Sequence, residues 1–171
     1  MTWQREDGQA MVMAAVWILL VGIATFTLAV SFGSMSISTN WISHVAQQAA
    51  KGGGTAGMEA QAVAVGNPRF NVPVVQQVAT QIMASNLGLD PSSLAPQSGS
   101  PFVSTPQIQV IVTNGPFPAT ITVPFTGGQT ITESYPTVVV AIQGDLENWT
   151  GHTVLANYWS AARIYEPGAP P

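Results

Sequence analysis

The chain is predicted to be an α+β protein: a long N-terminal hydrophobic helix, extended and transmembrane, then a small domain with an antiparallel β-sheet of about four strands and one packing helix. Three observations predict it. Gly8 to Ala50 holds no formally charged residue, and within it Ala10 to Phe32 is almost wholly apolar, about the 20 residues that cross a hydrocarbon core. From Val74 to Asn86 apolar residues recur at helical spacing, and beyond Gln107 the period changes to two with many β-branched residues.

In order along the chain, the apolar run is followed by SMSISTNWISHVAQQAAK, without proline or a turn cluster, so the helix is expected to continue. Ile37, Trp41, Val45 and Ala49 recur every four residues and form an apolar stripe among Ser, Asn and Gln. Gln9 to Lys51 makes a rod on the order of 65 Å long at ~1.5 Å per residue. Gly52, Gly53 and Gly54 are expected to stop it. The chain thus divides into a leader (1–8), an assembly helix (9–51) and an extracytoplasmic α+β domain (52–171).

A short helix is expected around Met58 to Val65. In the next, Val74, Val75, Val78, Ile82 and Met83 face one way and Gln76, Gln77 and Gln81 the other, with Pro73 in the first turn and Gly88 and Pro91 closing it. The Pro/Ser/Gly-rich segment from Asp90 to Thr105 reads as a loop. Strands follow at Gln107–Thr113, Ala119–Phe125, Pro136–Gly144 and His152–Ile164, with turns at Asn114-Gly115-Pro116, Thr126-Gly127-Gly128 and Gln143-Gly144-Asp145.

Composition excludes several function classes. Of 171 residues, 4 are Lys or Arg and 8 Asp or Glu, and charged residues make up 7%, against about 25% in an average soluble domain. Arg5, Lys51, Arg69 and Arg163 are scattered singly, which removes the clustered cations that nucleic-acid binding needs. Without cysteine there is no disulfide, thiolate nucleophile or Cys-ligated zinc. His44 and His152 stand far apart, and Asp145 with Glu147 is too sparse for a Ca²⁺ loop, so no metal and no cofactor is expected. No nucleophile elbow, phosphate-cradling loop or His-Glu-x-x-His occurs. We therefore expect no catalytic residues, no small-molecule substrate and no enzyme. Asn148-Trp149-Thr150 is a sequon that makes Asn148 a candidate glycosylation acceptor.

The N-terminus RED-Gly8-Gln9-AMVMAAVWILL resembles a type IV prepilin signal. With HVAQQAAKGGG after the apolar run and Ser160-Ala-Ala-Arg163-Ile-Tyr-Glu166 near the end, the chain is similar in organisation to TadE-like pseudopilins of tight-adherence pili. The resemblance implies cleavage between Gly8 and Gln9 by a prepilin peptidase and a mature helix that packs against other pilin or pseudopilin subunits. It also implies a glutamate at the fifth mature position, where this chain has Met13; that departure points to a minor or tip subunit. Small residues at Ala14, Ala15, Gly22 and Ala29 would let neighbouring helices approach closely. The expected function is a structural pilus or secretion-type subunit at the cell surface. It would span the membrane once, N-terminus cytoplasmic and C-terminal domain outside, or sit in an extracellular filament. The alternative is a single-pass membrane-anchored binding module whose stem only tethers it.

Overall fold

In the computed structural model the backbone is described for residues 3–59, 68–147 and 151–164, with side chains within it undescribed at 3–12, 14, 31–32 and 34–37. Helix α1 spans Trp3–Gly57 and α2 Val72–Asn86; strands are β1 Gln107–Thr113, β2 Ala119–Thr122, β3 Thr130–Glu133, β4 Thr137–Glu147 and β5 Thr153–Arg163. Strands β1, β4 and β5 form an antiparallel sheet in the order β1-β4-β5, and β2 pairs with β3 as a separate hairpin.

Helix α1 runs on through all three glycines that were expected to end it. The reason is helix packing: a Cβ on Gly53 would lie 3.0 Å from both the Ala79 Cβ and the Val75 carbonyl oxygen, and one on Gly57 would lie 3.2 Å from the Asn71 carbonyl oxygen. The lost helix propensity, about 1 kcal/mol per glycine, is offset by close contact with α2. The buried stripe is Ile42, Val45, Ala46, Ala49 and Ala50, continuing into Gly53 and Gly57. It is rotated from the stripe read in the sequence, and Trp41 lies exposed. The short helix expected around Met58 to Val65 falls largely outside the described residues; Met58 itself forms a bridge with Phe70.

Helix α2 forms as its sequence predicts. Asn71, in extended conformation, accepts a hydrogen bond from the Val74 amide, and Pro73 occupies the first turn. Val75, Ala79, Met83 and Ala84 are buried while the glutamines face outward. The chain leaves through Gly88, whose φ of +62° suits glycine, and the Asp90 carboxylate then organises the loop by accepting from the amides and hydroxyls of Ser92 and Ser93. Those bonds hold its pKa well below the usual carboxylate range.

Strand β4 is buried on both faces. Val138, Val140, Ile142 and Leu146 join the α1–α2 core, with Ile108, Val110, Val112, Ala156, Tyr158 and Ala162 from the neighbouring strands. On the opposite face Val139 and Ala141 are also buried, as are Ile121 and Val123 of the hairpin arm. The hairpin is fastened to that face where Asn157 Nδ2 donates to the Phe125 carbonyl and Arg163 pairs with Glu133.

Two sequence expectations about this fold are corrected. The sheet of about four strands is a three-stranded sheet plus a two-stranded hairpin. Thr130–Glu133 forms the unforeseen β3, and Gln143-Gly144-Asp145 is no turn but continues β4, with the Phe102 ring lying against the bare Gly144 Cα. More important, among the described residues no helix is long and apolar enough to cross a membrane. Gly22, Thr25 and Thr27 dilute the apolar run of α1. The transmembrane assignment therefore falls, and with it the single-pass topology.

Candidate functional site

The surface that stands out chemically is the apolar half of α1. Trp17, Ile18, Leu19 and Leu20 are four consecutive residues, 100° apart around the helix, and all are exposed, as are Met13, Val16, Val21, Ile23, Phe26 and Leu28. Large contiguous apolar patches of this kind are rare on monomers and mark interaction surfaces. Its two threonine hydroxyls are internally satisfied: that of Thr25 donates to the Val21 carbonyl at 2.8 Å, and that of Thr27 to the Ile23 carbonyl at 2.8 Å. A partner could cover these hydroxyls without stranding them.

The residues singled out in the sequence are placed as follows. Met13, Ala15, Gly22 and Ala29 are all exposed on this stalk. Ala15, Gly22 and Ala29 are spaced by seven, so they share one stripe, and a Cβ on Gly22 would meet nothing within 4 Å. Gly8 and Gln9 lie within α1, with undescribed side chains, as at Ala14; Asn148 lies outside the described residues.

Where stalk joins head, Tyr158 of β5 hydrogen-bonds to Thr39 of α1. Burial raises the Tyr158 pKa above its usual value, and the Thr39 bond partly opposes the shift.

At the far end of β5, Arg163 Nε lies 2.5 Å and Nη2 2.8 Å from the two carboxylate oxygens of Glu133, a two-pronged pair whose acid is 2% exposed and whose Arg is 43% exposed. Sequence reading missed this pair. Its signal was that Glu133 is the only charged residue between Asp90 and Asp145, so a strand position there invited a search for its cation. The pair fastens hairpin to sheet, and the recess that Arg163 lines with Lys51 and Trp159 is open. Among the described residues no group of three His, Asp or Glu could hold a metal ion, and His44 and His152 are both exposed. No family model, curated protein or solved structure matches this chain.

Proposed function

We propose that the chain is a structural, non-enzymatic subunit of a pilin-like assembly, in which the apolar half of α1 packs against the same helix of neighbouring subunits and the α+β head points outward. The observation that carries this reading is the exposure of Trp17 to Leu20 around the whole helix circumference: a helix apolar on every side needs neighbours on every side, and copies of the same helix supply them. Ala15, Gly22 and Ala29 give one stripe where backbones approach most closely. The resemblance of the N-terminus to a prepilin signal adds the processing step, cleavage between Gly8 and Gln9 by a prepilin peptidase, and Met13 in place of the expected glutamate favours a minor or tip position.

The deciding experiment is the intact mass and N-terminal sequence of the chain isolated from its native source. A start at Gln9 supports processing and assembly. A start at Met1 or Thr2 counts against the pilin-like reading, and the stalk would then need another kind of partner.

A further inference from the structure

From the geometry of the head we infer an interface independent of the stalk: the outer edge of β5 pairs antiparallel with β5 of a second copy, joining two three-stranded sheets into one of six strands. Strand β5 is the end of its sheet, 11 residues long. Its register with β4 runs without a bulge from Glu147↔Thr153 to Thr137↔Arg163. Free edges are normally blunted by charge, proline, bulges or short length. Here Thr153 to Ala162 contains no charge, no proline and no glycine, and Leu155 is 60% exposed. The other edge differs: β1 is shorter, and Gln76 of α2 donates to the Val110 carbonyl, covering it.

Charge selects a second copy as the occupant. An open recess along the last residues of β5 is walled by Trp159, Arg163 and Lys51 of α1; Glu133 balances the Arg163 charge, so Lys51 leaves this end of the edge net cationic. The opposite end carries carboxylates, since the β4 register sets Glu147 beside Thr153 and Asp145 beside Leu155. An antiparallel pair about Tyr158 brings the cationic end of each copy to the acidic end of the other, and such complementarity fixes register and orientation. In that register Leu155 of one copy faces Ala161 of its partner.

The test uses the full chain, which has no native cysteine. Leu155→Cys and Ala161→Cys are introduced together. Directly opposed residues in antiparallel strands have Cα atoms about 4.5–5.5 Å apart, within disulfide reach. Within one strand the two positions are about 20 Å apart, so mild oxidation gives an intermolecular bond or none. A covalent dimer from the double variant, absent from each single variant, is the expected result, together with slowed amide exchange along β5 in the unmodified chain. No covalent dimer from a variant that keeps its native circular dichroism overturns the proposal. Slowed exchange without the cross-link also overturns it, because the edge then belongs to another occupant. Lys51→Glu in the double-cysteine background is expected to slow cross-linking roughly threefold to tenfold at low salt, and an unchanged rate would remove the charge argument for a second copy. Repeating the reaction with Gly22→Leu separates this interface from stalk packing: the β5 cross-link should persist when stalk assembly is weakened.

Discussion

The two halves of α1 are one continuous helix put to opposite uses. Between Met13 and Val30 the large apolar side chains point outward in every direction; between Ile42 and Gly57 small residues lie on one side, buried against α2 and the sheet, with Ser43, Gln47, Gln48 and Lys51 exposed on the other. The head half is small because its neighbours are already in place and must come close. In the assembly proposed above, the stalk half is large because its neighbours are other subunits. Residue size and one-sidedness, rather than hydrophobicity alone, separate a helix buried within its own chain from one kept for another.

The sharpest way to break the comparison is one substitution made twice. Ile42 is fully buried and Ile18 is 74% exposed. Ile42→Ala is expected to destabilise the head by about 2–5 kcal/mol, and Ile18→Ala to change it by no more than ~0.5 kcal/mol, both measured by urea unfolding followed by near-UV circular dichroism. Comparable losses at both sites would mean that the stalk packs within the monomer after all.

Next in size is Arg163→Ala. Leaving a buried carboxylate unpaired costs about 3–5 kcal/mol in a fully buried setting. Because Arg163 is 43% exposed, water can partly replace it, and roughly 2–3 kcal/mol is expected. The double variant Arg163→Ala, Glu133→Gln should recover part of that loss in a double-mutant cycle. Additive losses would show that the two side chains do not act as a pair.

Glycines extend the contrast at smaller size. Gly53→Val must displace Ala79 or the α2 backbone, an overpacking cost of about 1–3 kcal/mol. Gly22→Leu meets open space, so head stability should stay within ~0.5 kcal/mol. Self-association measured by sedimentation should nevertheless weaken; unchanged association would move the packing face away from the Ala15, Gly22 and Ala29 stripe.

What could be read beforehand follows the same division. Helix α2 and strand β1 were legible because one segment carried both its period and its boundaries: Asn71 and Pro73 at the start of α2, Gly88 after its end, and alternation in QIQVIVT ending at Asn114-Gly115. What failed depended on partners distant in sequence. Gly52 to Gly54 look like a helix stop until α2 is laid across them, Gly144 looks like a turn until Phe102 covers it, and TITE at Thr130–Glu133 is too short to announce a strand without Ala119–Thr122 beside it. The apolar run at Ala10 to Phe32 had the composition of a span, yet composition specifies an apolar environment without specifying which one. At the candidate site the apolar composition of the stalk was legible and the Glu133–Arg163 pair was not, since 30 residues separate its members.

The smallest effect tests the joint between the halves. Tyr158 is held neutral by burial, so its pKa in the folded chain lies above the unfolded value of about 10. For a group shifted in this direction the stabilisation is complete below the unfolded pKa and is lost as pH rises through the folded one. Unfolding midpoints should therefore fall as the pH rises above about 10. Tyr158→Phe keeps the ring against α1 and removes the ionisation, so its midpoint should fall less steeply over that range, at the cost of the Thr39 hydrogen bond at neutral pH, about 1 kcal/mol or less. An identical alkaline slope in both proteins would show that Tyr158 does not sense the contact. A shallower slope would establish that β5 holds α1 through a side chain whose protonation depends on that contact, and that the stalk leaves the head at a defined, packed junction.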